Sequence, residues 1–92
     1  MSATSRDKTV RIVNDLGLHL RAAGALVQLA SSYKCDIVLK RGSTEANAKS
    51  IMSVLSLAAG KGAELILSAD GDDAQRAIDS MAALIEAGFH QG

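Results

Sequence analysis

His19 and Arg21 stand two residues apart in the segment 15–25, which reads D-L-G-L-H-L-R-A-A-G-A. A neutral imidazole is a nucleophile, and a free one titrates near about 6.5, so it is largely neutral at cytoplasmic pH. A guanidinium carries a permanent charge and donates well to phosphate oxygens. The segment begins as a loop and ends as a helix, which places both groups at a helix N-terminus with free backbone N–H groups and a partial positive charge. Histidine is a poor N-cap, and a cation in the first turn opposes the helix dipole. Two broken local rules at one helix start point to selection for something other than stability. Together the groups form a site for a phosphate-sized anion. A phosphoryl group carried on a ring nitrogen leaves readily, and its stabilisation must stay modest if it is to be passed on. A lone histidine here would ordinarily be a surface or capping residue; the company of Gly17, Arg21 and a second motif reverses that balance.

A second position of interest is Ser50, directly before I-M-S-V-L-S-L. It makes a good helix cap, worth about 1 kcal/mol. It is also a hydroxyl at which a phosphate would place a charge of about −1.5 to −2 beside an apolar patch. Leu20, Val27, Ile51, Met52 and Leu55 make up that patch. Apolar stripes are usually core. The first helix, however, already has a core stripe in Ala22, Ala25, Leu26, Leu29, Ala30 and Tyr33, and its opposite face (Leu20, Gly24, Val27 and Gln28) is more apolar than solvation requires. Such a face suits partner docking. The remaining candidates read as structural. Lys61 between two glycines lacks the spacing of a phosphate loop, Asp70, Asp72 and Asp73 form a solvated turn, Cys35 is a buried inert thiol, and His90 has no assigned role.

Ten basic and ten acidic residues in a chain of 92 leave a formal net charge of zero, and Tyr33 and Phe89 are the only aromatics. That balance argues against nucleic acid, which calls for a basic surface and often stacking rings. One cysteine excludes a disulfide framework and fits a reducing compartment. No stretch is long enough to insert in a membrane, and the opening M-S-A-T-S-R-D lacks the apolar run of a secretory signal. The expectation is a cytoplasmic protein forming a single domain over residues 1–92, with residues 1–7 and 89–92 flexible.

The elements that must position the site follow from periodicity. Residues 9–13 (T-V-R-I-V) alternate as a strand, residues 14–18 make a loop, and a helix runs from Leu20 to Ser31 or Ser32. Residues 36–40 and 44–47 pair as a hairpin about the turn 41–43. A helix follows Ser50, and Gly60-Lys61-Gly62 ends that segment. Residues 63–69 alternate again as a strand. After the acidic turn a last helix runs from about Ala74 to Ala87, with Ala74, Ala77, Ile78, Met81 and Ile85 inward and Gly88 as its C-terminal cap. The order β-α-β-β-α-β-α with an apolar sheet face predicts a two-layer α+β sandwich.

With that order and the His19 segment in hand, the chain resembles the HPr family, the histidine-containing phosphocarriers of the phosphoenolpyruvate-dependent phosphotransferase system. The resemblance runs from about Lys8 to Glu86. It is carried by G-L-H-L-R-A-A at 17–23 and N-A-K-S-I-M-S-V-L-S-L-A-A-G-K-G-A-E at 47–64. It implies an open-faced sandwich, a four-stranded antiparallel sheet in order 1-4-2-3 with three helices on one face. It implies that His19 accepts a phosphoryl group on Nδ1, that Arg21 stabilises it, and that Ser50 matches a serine modified by a dedicated kinase in some bacteria. Leu20, Gly24, Val27, Ile51, Met52 and Leu55 match partner-docking positions. The partners implied are enzyme I, an enzyme IIA and an HPr kinase/phosphorylase. The protein would act as a monomeric relay without metal or organic cofactor, not as an enzyme turning over substrate. A related reading keeps the same site in a regulatory protein that works through its phosphorylation state without sugar transport. One position departs from the pattern: Ala22 stands where the family usually has proline. Alanine restores an N–H and frees φ, so the site gains a donor and loses rigidity.

Overall fold

Leu65, Leu67 and Ala69 alternate along the strand β4 (Glu64–Asp70) and are all buried, while Glu64 and Ile66 point to solvent. This period of two builds a sheet with one dry face. The computed structural model describes residues 4–90. The other elements are β1 (Ser5–Arg11), α1 (Leu20–Ser31), β2 (Asp36–Arg41), β3 (Thr44–Asn47), α2 (Ile51–Ser56) and α3 (Ala74–Glu86). The strands form one sheet in the order β1-β4-β2-β3, and every neighbouring pair is antiparallel. Val10, Ile37, Leu39 and Ala46 share the buried face with the β4 residues. Against them pack Ala22, Leu26 and Ala30 of α1, Val54 of α2, and Ala77, Ile78, Met81 and Ile85 of α3. The two-layer α+β sandwich is as the periodicity predicts, and its open-faced form and strand order are those the family resemblance implies.

The α1 stripe is turned slightly from the one expected. Ala22, Leu26 and Ala30 are buried together with Ala23, whereas Ala25, Leu29 and Tyr33 are half-buried. The half-buried Tyr33 spends its hydroxyl on Ser80 Oγ at 2.6 Å, joining the end of α1 to α3.

Two stretches read as flexible ends take part in secondary structure. Residues 5–7 belong to β1, which begins at Ser5 and pairs with β4 along its whole length, from Ser5 opposite Asp70 to Arg11 opposite Glu64. Of its residues only Val10 is buried. A ladder needs backbone groups rather than apolar side chains, and a charged edge strand resists pairing with other chains. The strand also ends before Ile12. That residue stays buried, and its N–H donates to Ala63 O at 2.9 Å while its carbonyl accepts from Gly62 N at 2.8 Å. At the other end, Gly88 takes φ +65° after α3 and starts a 3₁₀ turn over Gly88–His90. Phe89 is buried in the core cluster, and burying such a ring contributes roughly 1.5–3 kcal/mol. Residues 1–3 and 91–92, also expected to be flexible, lie outside the described residues.

Asp73 is the N-cap residue of α3, but its carboxylate makes no capping bond there. It accepts instead from the N–H groups of Lys34 at 2.9 Å and Cys35 at 3.0 Å. It thereby ties the turn after α1 to the start of α3. The Lys34 N–H is the main cause that holds this carboxyl below the usual carboxylate range.

Candidate functional site

The loop before α1 is shaped by Asn14. Its side-chain amide donates to Gly17 O at 2.8 Å, and its carbonyl accepts from Gly17 N at 3.1 Å. Asn14 is buried, and its Oδ1 has no hydrogen-bond partner among the described residues. Gly17 is required twice over. It takes φ +65°, and a Cβ there would lie 2.7 Å from Ala59 O and 2.8 Å from Gly60 Cα. The next residue continues the contact, with Leu18 N donating to Ala59 O at 2.8 Å. Lys61 Nζ meets Asp15 Oδ1 at 2.8 Å across the same junction. Lys61, dismissed as a phosphate loop, therefore has a partner: it fastens the loop after α2 to the loop before α1. The Lys61 ammonium holds the Asp15 carboxyl below its ordinary value, and Asp15 in turn holds Lys61 above its own.

His19 is the N-cap of α1, extended at φ −77° and ψ 178°. Its Nδ1 accepts from Arg21 N at 3.2 Å, in the role a serine or aspartate oxygen usually fills. A nitrogen that accepts carries a lone pair, so the neutral ring in this geometry holds its proton on Nε2. The carbonyl of His19 accepts from Ala23 N at 2.8 Å and closes the first turn. No acidic residue stands in that turn. The Arg21 side chain is exposed. Ala22 is buried, and α1 starts at Leu20 without the ring of a proline to set φ.

Ser50 caps α2 as expected, accepting from Ser53 N at a long 3.4 Å. Its own N–H donates to Asn47 O at 3.0 Å. Lys49 Nζ reaches Tyr33 O at 2.7 Å, joining the start of α2 to the end of α1. Ile51 faces Gly24 of α1, where an added Cβ would stand in ordinary contact at 3.8 Å from Ile51 Cδ1. Leu20 is 65% exposed and Met52 73%, while Val27, Ile51 and Leu55 are half-buried against the core. Leu16, in the loop before His19, is 74% exposed and was not among the residues singled out from sequence.

Two further features were not legible in the pattern of residues. Arg41 Nη1 donates to Leu57 O at 3.0 Å and Ala58 O at 3.2 Å, at the C-terminal end of α2. Ala58 itself is left-handed, at φ +50°. Cys35 is buried as expected, and desolvation is the main cause that pushes its thiol up to about 11. No helix among the described residues is long and apolar enough to cross a membrane.

Residues 6–87 match the family described as "PTS HPr component phosphorylation site". The chain belongs to the HPr family. Members are phosphocarriers of the phosphotransferase system, and the chain is similar to them along nearly its whole length. It is 45% identical over 87 residues to the phosphocarrier protein HPr of Cupriavidus necator, covering 95% of this chain and 96% of that one. It is 39% identical over 88 residues to the phosphocarrier protein NPr of Shewanella violacea, covering 96% and 97%. The crystal structure of HPr-C-His from Thermoanaerobacter tengcongensis superposes with a TM-score of 0.91 at 39% identity, over 95% of this chain and 98% of that one. The HPr fold and the phosphocarrier role are thus common ground between these proteins and this chain.

Proposed function

We propose that this HPr-family protein accepts a phosphoryl group on Nδ1 of His19 from phospho-enzyme I and passes it to an enzyme IIA. The observation that carries the reading is the bond from Arg21 N to His19 Nδ1, 3.2 Å long, at the open start of α1. The ring nitrogen next to the helix end is the one with the lone pair. In the step, that lone pair forms the new N–P bond while the donor's bond to phosphorus breaks and its electron pair leaves with the donor. The proton on Nε2 stays in place. The N–H of Arg21 loses its acceptor as the bond forms and is then available to a phosphoryl oxygen. The helix dipole and the Arg21 guanidinium offset the new charge at the surface, without the heavy desolvation that would trap the group. Transfer onward reverses these changes.

Leu20, Gly24, Val27, Ile51, Met52 and Leu55 are the docking surface in this reading, with Leu20 and Met52 the most exposed of them. Ser50 is the regulatory site: a kinase would replace a long capping bond of 3.4 Å with a charged group beside that surface. The similarity to an NPr protein favours a second reading, in which the same His19 chemistry serves control of a partner rather than sugar transport. Labelling with radioactive phosphoenolpyruvate and enzyme I tests the first proposal. Acid-labile label on the native chain and none on His19→Ala is the expected result, and an unlabelled native chain would overturn it. Incubation with an HPr kinase and ATP tests Ser50, with Ser50→Ala as control.

A further inference from the structure

We propose that Arg41 is a positioning residue for His19, acting through the turn that follows α2. The inference rests on the reading of His19 as the phosphoryl acceptor. Arg41 is the last residue of β2, and its guanidinium reaches across to two carbonyls, Leu57 O and Ala58 O. Those carbonyls directly follow a helix of six residues, a length that is marginal without tertiary support. The last carbonyls of a helix lack partners within it and carry partial negative charge, so a cation placed there satisfies both needs. Ala58 makes the clamp necessary. Its φ of +50° is a conformation that glycine adopts freely and alanine resists.

The shape of this turn is passed on at once. Ala59, the next residue, gives its carbonyl to Leu18 N at 2.8 Å. The same carbonyl and Gly60 Cα fill the space beside Gly17 that a side chain would need. Leu18 precedes His19 in the chain, so the carbonyl of Ala59 helps set where the N-cap residue stands. The path runs from the Arg41 guanidinium to Ala58 O, through one residue to Ala59 O, and across one hydrogen bond to the residue before the imidazole.

Nuclear magnetic resonance on the full, unphosphorylated chain tests the path without any phosphoryl donor. In Arg41→Ala, Leu18 amide exchange should speed up by at least about fivefold, the ratio set by the net loss of one ordinary hydrogen bond. The His19 Nδ1 resonance should move from the acceptor position toward the average of the two tautomers. Arg41→Lys, which keeps a donor of similar reach, should restore most of both readouts. So should Ala58→Gly in the Arg41→Ala background, because glycine takes the turn unaided. Should Arg41→Ala fail to fold, Arg41→Gln carries the same two readouts. A folded Arg41 variant with native Leu18 exchange and native His19 ring shifts would overturn the proposal, as would faster exchange spread evenly over the whole chain. A variant that behaves as expected in a protein that enzyme I cannot label would retain the positioning path and remove the relay reading instead.

Discussion

The backbone N–H of Arg21 donates to Nδ1 of His19, so the nitrogen proposed as phosphoryl acceptor is also the cap of the helix beneath it. In that proposal, capping and phosphoryl acceptance share one atom. His19→Ala should abolish acid-labile labelling while costing only about 0.5–2 kcal/mol of stability, the usual range for losing an N-cap. Labelling and a urea titration of the same sample check both halves.

Arg21 presents the simpler case. Its side chain is exposed, and an exposed substitution ordinarily changes stability by about 0.5 kcal/mol or less. Arg21→Ala should therefore melt close to the native protein yet slow phosphoryl transfer by roughly tenfold or more, as expected for removing a charged group aimed at developing negative charge. Rapid-quench kinetics decide it; native rates would remove Arg21 from the mechanism.

Gly17→Ala should be among the most damaging single changes in the chain. The left-handed backbone alone costs alanine about 1–2 kcal/mol, and the added carbon would press on Ala59 O and Gly60 Cα. The urea midpoint should fall, and the Leu18 to Ala59 bond should show the loss first by hydrogen exchange.

These three positions differ in how visible they are from sequence. The helix from Leu20 was legible because its apolar residues recur at helical spacing, and Gly17 stood out as the flexible point of its loop. Strand β1 was misplaced because S-R-D-K-T-V-R offers one buried side chain, and its pairing with β4 is written in backbone groups that no side-chain pattern reports. Phe89 was set aside with a polar tail, though a lone ring beside a glycine after a helix can fold back onto the core. The capping bond of His19 was hidden by histidine's poor standing as a cap, and the clamp of Arg41 by its separation of 16 positions from Leu57.

Ala58→Gly should stabilise the protein by about 0.5–1 kcal/mol, because glycine avoids the left-handed penalty at this position after a helix while paying some chain entropy. A guanidinium chloride titration at pH 7 measures it. A loss of stability would show that the turn is held without strain.

Acid should weaken the link between α1 and α3. The Asp73 carboxyl lies below the ordinary value of about 3.9 in the folded chain. Its contribution is therefore present above that value and is lost as pH falls through the lower, folded value. Asp73→Asn should reduce stability at pH 7 and flatten the decline toward pH 2. Urea midpoints measured from pH 7 to pH 2 for both proteins give the comparison.

The packing of α2 beside α1 brings the His19 and Ser50 positions onto neighbouring helices. At Gly24 an added Cβ would make only an ordinary van der Waals contact with Ile51 Cδ1, at 3.8 Å, and Lys49 fastens the start of α2 to Tyr33 O beyond the end of α1. The helix that His19 caps and the helix that Ser50 caps pack over the same core. In the proposed reading, a charge added at Ser50 therefore acts on the neighbourhood of His19 by changing which partner surfaces dock there.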